Sequence, residues 1–122
     1  MTTDELKART KQFALRVMTL VEALPNTVRG QVIANQIMRS ATSTGANYRA
    51  ACRARSRAEF ISKIGVVEEA ADETAFWLEL IIESKIRRAK QIAPLSDEAN
   101  ELVAITAASR KSAIANRRLA IH

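Results

Sequence analysis

Four arginines stand within nine residues, and they are the side chains in this sequence best suited to binding chemistry. Arg49 and Arg53 are one helical turn apart and share a helix face, while Arg55 and Arg57 follow directly. The planar guanidinium of arginine forms two parallel hydrogen bonds with one phosphate. The cluster predicts an anion-binding site, and a solvated cluster without a ligand is the equal alternative.

A second basic set, Arg87, Arg88 and Lys90, lies near the expected end of a helix. Cations there either contact a ligand or complement the negative end of the helix dipole, and the dipole interpretation is favoured. The chain carries 19 Lys and Arg against 13 Asp and Glu, a net charge of +6. This excess favours RNA or DNA as a partner, bound mainly through phosphates, because no base-reading motif is visible.

Catalytic and metal chemistry lack the residues they need. The single histidine, His122, is terminal, so neither Cys52 nor any serine has a candidate base within the folded body. Metal sites in helical bundles combine inward glutamates with histidines, and the terminal His122 cannot serve such a site. The three glycines are isolated rather than grouped in a phosphate-binding loop. We expect no catalytic residue, no metal, no cofactor and no enzymatic activity, and we expect Cys52 to be a small packing residue.

Helices must position the arginines, because the 122-residue chain has only three glycines and two prolines and is 48% hydrophobic. No run is long and apolar enough for a membrane span, and the N-terminus lacks the apolar core of a signal peptide, which predicts a cytoplasmic protein without membrane contact. We expect one domain, residues 1–122, built from four helices. Their expected ranges are 3–24, 28–55, 56–90 and from Pro94 to Arg118.

Local signals mark where the helices begin. Thr2 with Glu5, and Ser56 with Glu59, have the spacing of capping boxes, and Ser96 is the expected N-cap of the fourth helix. The short connections make neighbouring helices antiparallel. The predicted fold is therefore all-α, an antiparallel up-down-up-down four-helix bundle.

The third helix carries more apolar surface than one bundle seam needs. Apolar positions in residues 60–81 alternate spacings of four and three, which is typical of left-handed bundles. Val66, Ala70 and Trp77 add a second stripe about 100° away, predicted as an oligomer contact in preference to a broader intramolecular core. In the second helix, small residues around Gly45 predict the close approach of a neighbouring helix.

The run from Gln36 to Leu80 resembles the core of the bacterial four-helix bundle proteins found in intervening sequences of 23S ribosomal RNA genes, and the resemblance covers nearly the whole chain. The most specific pieces are Gln36–Ser43, Asn47–Arg49, Phe60–Lys63 and Glu69–Leu80. Related proteins include the accessory protein of diversity-generating retroelements, which works beside a reverse transcriptase. The resemblance implies a four-helix protomer, a ring-like homopentamer and a basic surface able to bind nucleic acid, without catalysis. Ala50 departs from the family pattern, which often has an acidic residue there.

Two functional hypotheses follow. The first is a non-catalytic, oligomeric nucleic-acid-binding protein whose phosphate contacts are the seven cations named above. The alternative is a protein-protein scaffold without nucleic-acid affinity, in which an acidic arc of the third helix and the basic ends pair with each other or with a partner such as a reverse transcriptase.

Overall fold

The computed structural model describes the backbone of residues 1–121 and the side chains of residues 1–116. This part of the chain contains no strand, and none of its helices is long and apolar enough to cross a membrane. The all-α prediction is confirmed. The four helices are α1 (Thr3–Glu22), α2 (Val28–Cys52), α3 (Arg57–Glu83) and α4 (Ala89–Ile121).

Side-chain caps fix the first turns of α1, α2 and α3. Thr2 accepts the N–H of Glu5 at 3.1 Å, and Glu5 accepts the N–H of Thr2 at 3.4 Å. Thr27 accepts an N–H three residues later at 3.1 Å, and Ser56 accepts the N–H of Glu59 at 3.1 Å. These bonds satisfy donors that have no partner inside a helix, so Thr2 and Ser56 are confirmed as N-caps. The reciprocal bond of a capping box forms at Thr2, whereas Glu59 accepts the N–H of Arg55 and not that of Ser56, so the second capping box is incomplete.

The prediction that the third helix continues to Lys90 is wrong, because α3 ends at Glu83. Lys85 takes a left-handed conformation with φ of 62°, and its N–H donates to the carbonyl of Ile82 at 3.0 Å. The N–H of Ile86 donates to the carbonyl five residues earlier at 3.2 Å, and its side chain packs against the core. This Schellman motif ends the helix and turns the chain. Glycine usually occupies its left-handed position, and because lysine is there instead, the sequence does not indicate that the helix ends.

The predicted start of the fourth helix after Pro94, with Ser96 as N-cap, is also wrong. α4 begins at Ala89 and contains Pro94. The proline removes one hydrogen bond to a carbonyl in the solvent-exposed first turn, where water can replace it. Ile92 and Leu95, only 2% and 6% exposed, bury the apolar stripe that runs across the proline, and this burial favours the earlier start.

Each helix packs against its neighbours in chain order, and α1 closes the bundle against α4 through the smallest of the four contacts. The α2–α3 pair is antiparallel: Arg49, late in α2, lines one groove with Lys63, early in α3, whereas Ser40, earlier in α2, accepts a hydrogen bond from Thr74, later in α3, at 2.8 Å. In the described chain, diagonal pairs of helices bring no Cα atoms within 8 Å of each other. The up-down-up-down bundle is confirmed. Its largest fully buried apolar side chains are Phe13, Val17, Ile37, Ile64, Val67, Leu78, Ile81, Ile92 and Leu102.

Glycines permit two close backbone approaches. A Cβ on Gly45 would lie 3.4 Å from the carbonyl oxygen of Thr10, so α1 and α2 nearly touch there, as the small residues predicted. A Cβ on Gly30 would overlap the carbonyl oxygen of Pro25, so only glycine fits at this position in the first turn of α2. The second half of α2 is thereby held close to α1, which orients its outward side chains.

An ion-pair cluster holds the α1–α4 contact. Arg9 donates to both carboxylate oxygens of Glu98 at 2.6 and 2.7 Å and to Glu101 at 3.0 Å. The Glu98 side chain is only 14% exposed. Hydrogen bonding from Arg9 holds the pKa of Glu98 below its usual range, against the opposing effect of burial.

Candidate nucleic-acid interface

A basic groove lies between the last turns of α2 and the first turns of α3. Arg49, Arg53 and Arg55 line it together with Lys63, and we call these four cations the basic groove. Arg49 and Arg53 are one turn apart on α2, Arg55 lies in the connecting turn, and Lys63 comes from α3. The small side chains of Ala46 and Ala50 also line it. The structure therefore brings together three of the four clustered arginines.

The cations of the basic groove are not neutralised by neighbouring carboxylates. Among residues 1–116, ion pairs involve Arg9, Arg39 and Arg110, and none involves a cation of the groove. One carboxylate, Glu59, is among the groove's lining residues, and it accepts the backbone N–H of Arg55 at 3.4 Å. Four cations against one carboxylate leave a local positive field open to solvent.

Lys63 is the groove residue that sequence reasoning missed. It is one helical turn after Glu59, so it lies on the same side of α3. Whether that side faces α2 depends on how the two helices pack, which the sequence spacing does not show. The ion pair between Arg39 and Glu73 and the bond between Ser40 and Thr74 set that register. A helix spacing alone could not supply it.

Arg57 lies apart from the groove, although it is adjacent in sequence. It lines a separate concavity between α3 and α4, together with Phe60, Ser109 and Asn116. The turn at Ser56 directs the neighbouring arginines to different sides of α3. The four predicted arginines therefore belong to two separate sites near the beginning of α3.

The second predicted set lies at the opposite end of the bundle. Arg87 and Arg88 line a concavity beside the α3–α4 connection, and Lys90 is exposed in the first turn of α4. The 27 residues of α3 separate the two ends by about 40 Å. The helix-dipole interpretation is wrong for Lys90, because a cation in a first turn opposes the dipole.

The outward side of α3 carries an aromatic pair surrounded by carboxylates. Phe76, which sequence reasoning missed, is 50% exposed and meets Trp77 edge to face, with ring centroids 5.1 Å apart. Trp77 is half-buried and donates to Glu73 at 3.1 Å. Of the other predicted oligomer contacts, Val66 is 39% exposed, whereas Ala70 is buried within the bundle. We call Phe76 and its exposed neighbours the acidic aromatic face; the neighbours are Glu69, Asp72, Glu79 and Glu83.

A comparison with family models matches residues 4–108 to the 23S rRNA-intervening sequence proteins. The chain belongs to this family. The match reaches into all four helices, and it includes the basic groove, the acidic aromatic face and the cations at the opposite end. The family's description gives no binding activity.

One solved structure is similar to this chain over nearly the full length of both chains. It is the crystal structure of a protein with unknown function from the S23 ribosomal protein family of Bacteroides thetaiotaomicron VPI-5482. It is 34% identical, has a TM-score of 0.83, and the match covers 91% of this chain and 99% of that chain. No curated protein matches the chain.

Proposed function

We propose that this protein is a non-catalytic, cytoplasmic homo-oligomer that binds nucleic acid through the phosphates. The observation that carries the proposal is the basic groove, in which three exposed arginines and the half-buried Lys63 have no ion-pair partner. Ions that are already paired must break a bond to accept a phosphate, whereas these cations need only lose water and counterions.

Recognition in the groove depends on charge and not on sequence. Every cation there is a hydrogen-bond donor without an acceptor function, and phosphate oxygens are acceptors that both DNA and RNA present. The groove contains no side-chain amide to read adenine edges, and its arginines and lysine can read guanine edges only inside a major groove, where they would no longer contact phosphates. Duplexes of different sequence should therefore bind with similar affinity.

A salt titration tests the proposal. We expect a DNA hairpin with a stem of about eight base pairs, labelled for fluorescence anisotropy, to lose about 100-fold in affinity between about 50 and 200 mM salt, as four phosphate contacts require. The stem is about 27 Å long, too short to touch both ends of the bundle at once. Absence of binding at the lower salt concentration would sink the proposal.

Two variants of equal charge locate the site. We expect Arg49→Glu with Arg53→Glu to abolish hairpin binding, and Arg87→Glu with Arg88→Glu to leave most of it. Both double variants change the net charge by the same amount, and all four side chains face solvent or half-buried clefts rather than the core. Equal losses in the two variants would mean that overall charge, and not the basic groove, attracts the nucleic acid.

Self-association is the second part of the proposal, and the acidic aromatic face supports it. An aromatic side chain that is half exposed next to a second ring is typical of interface anchors. Light scattering should give a multiple of the 13.5 kDa chain, five copies by the family resemblance. We expect Phe76→Ser to shift the protein towards monomer, while Leu15→Ser, at a position that is 48% exposed on α1, has no effect.

The acidic aromatic face also favours the scaffold alternative, in which this face binds a basic polypeptide such as a segment of a reverse transcriptase. The local charge is negative although the whole chain carries +6. This alternative expects salt-sensitive assembly of proteins together with no hairpin binding at any ionic strength. The anisotropy measurement therefore separates the two functions.

A further inference from the structure

A cleft of about 440 Å³ opens at the end of the bundle on the other side of the α2–α3 turn from the basic groove. Its volume is in the range of small-molecule pockets. Apolar side chains from all four helices line it together with several hydroxyl groups. The residues that matter here are Leu6, Phe60 and Ile105, with Thr3, Tyr48 and Ser109.

The cleft continues into the concavity that holds Arg57. Phe60 and Ser109 line both, so the two form one furrow that runs from Tyr48 across Phe60 to Arg57 and Asn116. Hereafter we call it the end furrow. The α2–α3 turn forms the edge of the furrow next to the basic groove. Successive residues of this turn alternate between the furrow and the groove.

This alternation places cations on both sides of the furrow. Ala54 and Ser56 line the cleft, whereas Arg53 and Arg55 line the basic groove. Arg57 then lies at the far end of the furrow. A chain of phosphates that crosses the turn would pass guanidinium groups before and after the cleft.

The chemistry of the furrow suits a group with apolar faces and polar edges. No carboxylate is among its described lining residues, so nothing there repels an anion. Burial, together with the neighbouring Cys52, raises the pKa of Tyr48 to about 12, so its hydroxyl stays neutral and can donate or accept a hydrogen bond. A nucleobase has such faces and edges, and aromatic side chains stack on it without selecting a sequence.

We propose that the end furrow holds the base of an unpaired nucleotide whose flanking phosphates contact Arg55 and Arg57. The inference rests on the proposed nucleic-acid binding and adds to it a preference for single strands, loops or bulges over continuous duplex. It also gives Arg57 a role separate from the basic groove.

An abasic strand tests this inference separately from phosphate binding. We expect an oligothymidylate of about eight nucleotides to bind about tenfold more tightly than an abasic strand of equal length and charge, since stacking of one base contributes that much. Equal affinities would overturn the inference and leave phosphate binding in place. If neither strand binds, the proposed function fails and the inference fails with it.

Cys52 supplies a second readout, because it lines the cleft and is the single cysteine of the chain. We expect saturating oligothymidylate to suppress alkylation of Cys52 by N-ethylmaleimide, measured by mass spectrometry, and the abasic strand to leave it unchanged. Alkylation at the same rate with and without oligothymidylate would contradict occupation of the cleft.

A substitution that fills the furrow completes the test. We expect Ser109→Trp to reduce oligothymidylate affinity to that of the abasic strand without changing abasic binding, because Ser109 lies where the two concavities meet. Ser62→Trp, at an exposed position on α3, is the matched control and should leave both affinities unchanged. If Ser109→Trp weakens both strands equally, the base is not in the furrow.

Discussion

Lys85 occupies a backbone conformation that glycine ordinarily adopts. With φ of 62° it places its Cβ close to the following carbonyl, a cost that the two Schellman hydrogen bonds offset. Nothing else about the residue requires lysine, since it is exposed and forms no ion pair in the described part of the chain. The structure therefore carries a small local strain at the end of α3.

Replacing Lys85 with glycine should stabilise the bundle. We expect Lys85→Gly to raise the free energy of unfolding by about 1 kcal/mol, because the strain of the left-handed conformation exceeds the added backbone entropy of the unfolded chain. Urea denaturation measures the change. Lys85→Ala is the control for loss of the side-chain charge, and it should give no stabilisation; an equal gain in both variants would contradict the backbone explanation.

Glu98 should make stability depend on pH at the acidic side. Its pKa is lowered in the folded protein, chiefly by hydrogen bonding from Arg9, so its contribution is complete above the unfolded pKa. It is lost as pH falls through the folded pKa. We expect Glu98→Gln to cost about 1–2 kcal/mol near pH 7, and we expect the two proteins to converge in stability towards pH 3.

The neighbouring carboxylate is the control for this measurement. Glu101 also pairs with Arg9, but its side chain is 64% exposed, so solvent screens the interaction. Glu101→Gln should change the urea midpoint much less at every pH. If both variants lose the same stability, the burial of Glu98 has no energetic role.

Single residues show what the sequence could predict about the site. Arg49, Arg53 and Arg55 could be grouped because two lie one turn apart and the third is in the adjoining turn. Arg57 and Phe76 could not be placed, because their surroundings depend on which side of α3 faces its neighbours. That orientation is set by packing between helices, which composition and spacing do not encode.

At the scale of helices, Gly45 sets the distance between α1 and α2. We expect Gly45→Leu to destabilise the bundle by about 1–3 kcal/mol, because the larger side chain must displace the Thr10 backbone. Gly45→Ala places one carbon at ordinary contact distance and improves helix propensity, so it should be neutral or stabilising. Thermal unfolding of both variants measures the difference; equal losses would mean that space at this position does not matter.

The beginnings of α1 and α3 were predictable, whereas the end of α3 and the beginning of α4 were not. Thr2 and Ser56 announce helix starts because their side chains bond to nearby backbone, which is a local interaction. The end of α3 and the start of α4 depend on burial of Ile86 and Ile92 in a core made by other helices. Long-range packing thus ends α3 although no glycine marks its end, and it starts α4 before the proline at position 94.

The whole molecule separates its charges by location. The basic groove, the cations about 40 Å away and the acidic aromatic face occupy different parts of the surface, so the net charge of +6 describes none of them. The four-helix architecture was predictable from periodicity and short connections. Predicting where the charged surfaces lie would have required the register between helices.

Phosphate binding and self-association should therefore be separable. We expect Phe76→Ser to leave the affinity for the short hairpin unchanged, because the basic groove is remote in sequence and on another side of α3. Affinity for a long duplex, on which several protomers bind at once, should fall at least about 100-fold through lost multivalency. Anisotropy with both DNAs measures this; a parallel loss for the hairpin would show that the surfaces are coupled.

The packing of each helix against its neighbour in the chain also bears on how quickly the protein folds. Three of the four helix contacts join consecutive elements, and only the smallest one, between α1 and α4, joins distant parts of the sequence. Chains dominated by such local contacts fold within microseconds to milliseconds, because little loop entropy is lost before contacts form. The Arg9 cluster then belongs to a late step, and its weakening should accelerate unfolding more than it slows folding.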